Sequence, residues 1–96
     1  MPRRRGRPPK RCRCRPYAAD RVYKPQGVPM RDLRTRSLSR AQFEAIRLCD
    51  LEGLDQTAAG ARMGVSRGTV QRLVKSGRAK TVRALIESTA LVVEEG

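Results

Sequence analysis

The run "QTAAGARMGVSRGTVQRL", residues 56 to 73, constrains the fold more than any other part of the chain. Two helical stretches meet there with almost nothing between them. Gly64 ends the first, because glycine accepts the left-handed backbone that a tight helix reversal needs. Val65 is the apolar plug of the corner, and Ser66 is the N-cap of a new helix from Arg67. Asp55 is the N-cap of the short upstream helix "QTAAGARM". Its Ala58, Ala59, Gly60 and Ala61 leave a nearly smooth surface against which another backbone can come close. Gly60 costs that helix about 1 kcal/mol relative to Ala.

The flanking helices follow from similar signals. Ser39 and Gln42 in "SRAQ" fit a capping box, in which the Ser hydroxyl takes the Gln42 amide and the Gln side chain reaches back. This first helix runs to about Glu52, where Gly53 stops it. Phe43, Ile46, Leu48, Cys49 and Leu51, with Ala41 and Ala45, cover most of its circumference. It is expected to be the central helix, covered on several sides and partly by the preceding segment. In the helix from Arg67, at about 100° per residue, Val70, Leu73, Val74, Gly77 and Thr81 form one stripe. Opposite them lie Gly68, Arg72, Lys75 and Ala79, flanked by Gln71 and Arg67. Past residue 80 the apolar positions shift to Val82, Leu85, Ile86 and Thr89. That face is expected to meet the "RVYKP" segment, the tail "ALVVEE" or a second copy of the chain; alternatively Gly77 breaks the helix in two. "ALVVEE" is short and β-prone, with "RVY" as its candidate strand partner.

The expected architecture is mainly α: a three-helix helix–turn–helix domain over 39–89. A basic extended or disordered arm over 1–16 and an irregular Pro/Gly segment over 17–38 precede it, and a tail or short strand over 90–96 follows. The arm cannot build a core, having four Pro and no apolar periodicity.

Charge narrows the partner. Lys and Arg number 22 against 9 Asp and Glu, a formal net charge of +13. Eight basic residues and no acid fall in 1–15, and six basic and no acid in 63–83. Such a balance on a small chain points to a polyanion. No apolar run approaches the ~20 residues of a membrane span. The N-terminal stretch lacks the apolar run of a signal peptide, so the expected location is the cytoplasm, on the nucleoid. Cys12, Cys14 and Cys49 are odd in number, and with no His present a zinc site has a poor donor set. No cofactor or metal is expected. A thiol switch at Cys12 and Cys14, among arginines that favour thiolate, is an alternative to inert tail thiols. An enzyme is not expected: there is no His, no Ser-centred nucleophile motif and no paired carboxylates in a cleft.

A basic third helix, delivered by a Gly-Val-Ser corner, is the logic of the DNA-binding helix–turn–helix. The stretch "FEAIRLCDLEGLDQTAAGARMGVSRGTVQRLVKSGRAK" resembles region four of bacterial sigma factors. More closely, "YKPQGVPMRDL", "EAIRLCDLEGL", "RMGVSRGTVQRLVKSGRAK" and "ALVVEEG" together resemble a prokaryotic family of small predicted DNA-binding proteins, domain of unknown function number one hundred thirty-four. The resemblance runs from about residue 22 to the end. It implies a sigma-region-four-like fold and binding to double-stranded DNA. Two positions depart from the pattern: Gly60, where Ala is usual, and Gly77, where a helix former is usual.

Carried onto this chain, the resemblance implies that Gln71, Arg72 and Thr69 read bases in the major groove. Arg67, Gly68, Lys75, Arg78 and Ser66 would meet phosphates. Arg72 suits guanine, whose O6 and N7 a guanidinium can take together, and Gln71 suits adenine. In the arm, Arg3, Arg4, Arg5, Gly6, Arg7, Pro8, Lys10 and Arg11 surround "RGRP", which resembles the core of an AT-hook for the narrow minor groove. A generic phosphate-binding arm is the alternative. The expected function is a sequence-specific DNA-binding transcriptional regulator. The alternatives are an adaptor that touches RNA polymerase through the sigma-like module, and a basic RNA-associated protein. The last would need stacking aromatics, and only Phe43, Tyr17 and Tyr23 are available. A homodimer would use the Val82, Leu85 and Ile86 face.

Overall fold

A computed structural model of the chain describes residues 21 to 94. The arm residues Arg3 to Arg11, with Cys12 and Cys14, lie outside the described residues. The elements in chain order are β1 (Arg21–Tyr23), a 3-10 turn (Met30–Asp32), β2 (Thr35–Leu38), α1 (Arg40–Ile46), a π turn continuing it (Arg47–Leu51), α2 (Gln56–Met63), α3 (Arg67–Glu87) and β3 (Ala90–Val93). The fold is mainly helical with one small sheet.

Local hydrogen bonds define the helix starts. Ser39 Oγ accepts from Gln42 N at 3.0 Å, and Gln42 Oε1 accepts from Ser39 N at 3.0 Å, which completes the capping box. Asp55 Oδ1 accepts from Ala58 N at 2.7 Å. Ser66 Oγ accepts from Thr69 N at 3.1 Å. Between the last two caps, Gly64 sits at φ 75°, ψ 31° and turns the chain. The Gly60 carbonyl accepts from both Gly64 N and Val65 N, at 2.8 and 2.9 Å, so the reversed chain is tied back onto the last turn of α2.

One core joins the three helices. Ala45, Leu48, Ala59, Met63, Val70 and Val74 are buried together, with Ala41, Cys49, Leu54, Val65 and Leu73 packed on them. Gly60 and Gly77 both lie at close approaches. A Cβ on Gly60 would stand 2.7 Å from the Val65 carbonyl oxygen; one on Gly77 would stand 2.6 Å from Ile46 Cδ1 and 3.3 Å from Gln42 Cβ. Gly77 does not break α3, which is continuous from Arg67 to Glu87. It marks where α1 crosses α3.

Beyond that crossing, the sheet gives α3 a second place to pack. Its order is β1-β3-β2. β3 pairs antiparallel with β1, with Val22 opposite Val92, and parallel with β2, with Ser37 opposite Val92. The "RVY" and tail pairing is present. β2 is an addition: the expected irregular segment 17–38 carries, where described, two strands and a 3-10 turn. α3 lies against β2 and β3, and Leu38, Ala84, Ala90 and Val93 are buried at that end.

Two packing expectations need correction. The C-terminal face Val82, Leu85, Ile86 and Thr89 does not pack as a unit within the chain. Thr89 is buried, but Val82, Leu85 and Ile86 are 51, 74 and 76% exposed. The inward residue is Ala84, 3% exposed, which continues the stripe Gly77–Thr81–Ala84 set by the crossing at Gly77. The first helix does pack on α3 and α2, but Leu51, counted among its covered residues and lying in the π turn that continues α1, is 78% exposed. The π turn is the reason. Glu52 N donates to Arg47 O at 3.0 Å, five residues back, so the widened turn holds one residue more than an α-turn and Leu51 sits at its end.

Candidate nucleic-acid interface

The exposed side of α3 is set by its buried side. Val70, Val74, Gly77 and Ala84 face inward, so Arg67, Gln71, Arg72, Lys75 and Arg78 stand in solvent. Gly68 and Thr69 are half-buried, and Ser66 is exposed at the corner. The structure therefore brings all eight α3 and corner residues singled out from the sequence onto one end and one side of a single helix. Outside Gly68 the space is open: an added Cβ would meet only Arg72 Nη1, at 3.8 Å.

Within this group some side chains are engaged. The Thr69 hydroxyl lies 2.9 Å from Ser66 Oγ and accepts from Arg72 Nη2 at 3.4 Å. Thr69 thus belongs to the cap, and its hydroxyl leans Arg72 toward the start of the helix. Lys80 leaves the exposed side altogether. Its Nζ donates to the Ser37 carbonyl at 2.8 Å and to Gln42 Oε1 at 3.1 Å, while Gln42 Nε2 donates to Ser76 Oγ at 2.8 Å. This network ties β2 and the capping box of α1 to α3, and so fixes the angle at which α3 is held.

The sequence pattern makes Arg78 available to phosphate. Instead it donates through Nε and Nη2 to the two carboxylate oxygens of Asp50, at 3.1 and 2.5 Å. The Arg78 hydrogen bond holds the Asp50 carboxyl below its ordinary value, and Asp50 in turn pushes the Arg78 guanidinium up. Both ends are solvent-accessible, so the pair is exchangeable. Asp50 is the functional candidate that the sequence did not disclose. It lies 28 residues from Arg78, and no local pattern links them.

Asp50 also borders a cleft of about 480 Å³ between the end of α1, the start of α2 and the flank of α3, lined among others by Cys49, Asp55, Thr57 and Arg67. Its walls mix acids with arginines. Cys49 is a free thiol here. Burial, then the Asp50 carboxylate, pushes that thiol up, with Arg78 opposing and Asp55 adding to the rise. Cys49 is thus an unactivated side chain packed on the core. Among the described residues no helix is long and apolar enough to cross a membrane.

The chain matches, over residues 1–96, the family described as "Protein of unknown function DUF134". It is 48% identical over 91 residues to a UPF0251 protein of Halothermothrix orenii, covering 95% of this chain and 67% of that protein. It is 42% identical over 90 residues to a UPF0251 protein of Rhodospirillum rubrum, covering 94% and 63%. To one from Desulforudis audaxviator it is 44% identical over 92 residues, covering 95% and 60%. The chain thus spans about two thirds or less of the length of these relatives. No solved structure matches it. With a match that runs from its first residue to its last, the chain belongs to the family of proteins of unknown function DUF134.

Proposed function

We propose that this protein binds double-stranded DNA and regulates transcription by laying the first three turns of α3 in the major groove. The observation that carries this reading is the exposed cationic half of α3 on the side opposite its core stripe. A helix that only needed solvent would mix signs to gain i,i+4 pairs, whereas 63–83 holds six basic residues and no acid. The α2–corner–α3 arrangement is compatible with a helix–turn–helix, and the resemblance to sigma region four supports the same use of it. Within this reading Arg72 and Gln71 reach base edges. Arg67 and Lys75 take phosphates, as do the Ser66 corner and the open backbone at Gly68. Thr69 supports Arg72 rather than reading a base. Residues 1–15 add charge for phosphates or the minor groove.

The test is fluorescence anisotropy of a labelled duplex at rising salt, with competition by unlabelled duplex and by single-stranded RNA. Binding at low ionic strength, with log K falling linearly in log salt, is expected. Replacing Arg67, Arg72 and Lys75 together by Ala should flatten that slope by about 2–3. Failure of any duplex to bind, or better competition by single-stranded RNA, would overturn the proposal.

A further inference from the structure

The exposed side of α3 changes chemistry halfway along. Arg72, Lys75, Ala79, Val82 and Ile86 follow one another at steps of three, four, three and four residues. That spacing keeps side chains on one seam of a helix and is the spacing by which two helices pack together. The first two positions are cationic and the last three apolar. Arg72, Lys75 and Ala79 are exposed, and Val82 and Ile86 remain 51 and 76% exposed after the chain has packed its own core on the other side. Ala79, Val82 and Ile86 border a shallow depression with the stems of Arg83 and Glu87.

We infer that this apolar half-seam is the docking surface for a second copy of the chain on the same duplex. The inference rests on the DNA-binding reading of the cationic half. Three features favour a second copy. The seam repeats the a/d spacing that a like helix satisfies best. It runs without interruption into the proposed groove-facing residues, so whatever covers it must sit beside the same DNA. The seam also lies opposite Val70, Val74 and Ala84, so α1, α2 and the sheet of each copy stay outside the fork formed by two α3 helices.

The same features say when pairing occurs. An apolar seam of three residues is far short of the roughly three to four heptads of a standing coiled coil. Each copy carries a formal net charge of +13, which opposes association in solution. A duplex removes that repulsion and holds both copies at high local concentration. Two copies forked at their C-terminal halves place their cationic halves on adjacent stretches of groove. Half-sites should therefore abut, in inverted order, instead of lying the 10–10.5 bp apart of side-by-side helix–turn–helix dimers.

The experiment selects duplexes from a random pool with the full chain. It then compares the wild type with Val82→Gln/Ile86→Gln, an exposed, neutral, helix-compatible double variant. Native mass spectrometry should give one copy without DNA and two per selected duplex. The variant should keep its half-site affinity within about twofold and lose roughly tenfold or more on the complete site. Several outcomes overturn the inference: one wild-type copy per selected duplex, half-sites a full turn apart, or two copies of the variant bound as tightly as wild type. If the variant keeps pairing on DNA but loses RNA polymerase in a pull-down from nuclease-treated lysate, the seam is a polymerase surface and the inference fails. The half-site arm separates the failures, since loss of binding to half-sites by the wild type sinks the groove reading first.

Discussion

Asp50→Asn is the most informative single substitution, because it changes one charge at the flank of α3 and leaves the helix itself intact. In the wild type both carboxylate oxygens of Asp50 hold Arg78, at 2.5 and 3.1 Å, so under the proposed DNA-binding function this cation would meet the duplex already neutralised. Asp50 occupies the guanidinium much as a phosphate would. Removing its charge frees Arg78 to neutralise a phosphate, and each such contact adds about 0.9 to the slope of log K against log salt on duplex DNA. Between about 50 and 200 mM salt this amounts to a roughly three- to fourfold steeper loss of affinity for the variant than for the wild type. At the low-salt end the variant should bind several-fold more tightly, and equally so on every sequence, since phosphates carry no base information. Anisotropy titrations on a random and a selected duplex measure both effects. Asp50→Asn/Arg78→Ala should return the slope to near the wild-type value. The fold should survive, because an exposed pair contributes little to stability. A slope unchanged in Asp50→Asn would mean that Arg78 does not face the duplex. A shallower slope would mean that Asp50 positions Arg78 for DNA instead of withholding it. The sign with pH is also fixed. Asp50 is held below its ordinary value in the folded chain, so the pair's contribution to folding is in place above the unfolded carboxylate range. It is lost only as pH falls through that lowered value. At neutral pH the pair is fully ionised.

Arg72→Ala should cost about 1–3 kcal/mol on a selected site and relax discrimination at one base pair, and equal losses on all sequences would reassign Arg72 to phosphate. Gly60→Val should destabilise the fold by about 2–3 kcal/mol in urea unfolding, because its Cβ would press on the Val65 carbonyl oxygen from 2.7 Å. A neutral result would mean that the corner yields easily. Cys49 should react with iodoacetamide more slowly than a free thiol at pH 8, as followed by peptide mass spectrometry. Asp50→Asn should quicken the reaction by removing one of the charges that raise the thiol.

What could be read from the sequence was what the chain decides within about four residues. The Ser39–Gln42 box, the Asp55 and Ser66 caps and the left-handed Gly64 each follow from one residue and its near neighbours. The stripe Val70–Val74–Gly77 followed from helical period alone. Features built from distant partners were not legible. "TRSL" has no strand-like alternation, and β2 exists because Leu38 and Ser37 meet Val93 and Val92 from the other end of the chain. By local propensity Gly77 is a weak point in a helix; its role comes from Ile46, distant in sequence, which lies against it. At the candidate site, the cationic side of α3 followed from period and charge. The state of its members did not: Lys80 is drawn inward by the Ser37 carbonyl, and Arg78 is drawn aside to Asp50 on the π turn.

The misplaced C-terminal stripe shows why size matters as much as period. Counting apolar residues past position 80 selects Val82, Leu85 and Ile86 as the inner face, since they are the largest. α3 is already committed by its crossing at Gly77, and its next inward positions at helical spacing are Thr81 and Ala84. The large residues are therefore left outside by the same packing that fixes α3. A chain of this size has little apolar surface to spare. Val82 and Ile86 stand at a/d spacing in direct line with Arg72 and Lys75, and it is this alignment, outside a core already closed by smaller residues, on which the proposed pairing of two copies on one duplex rests.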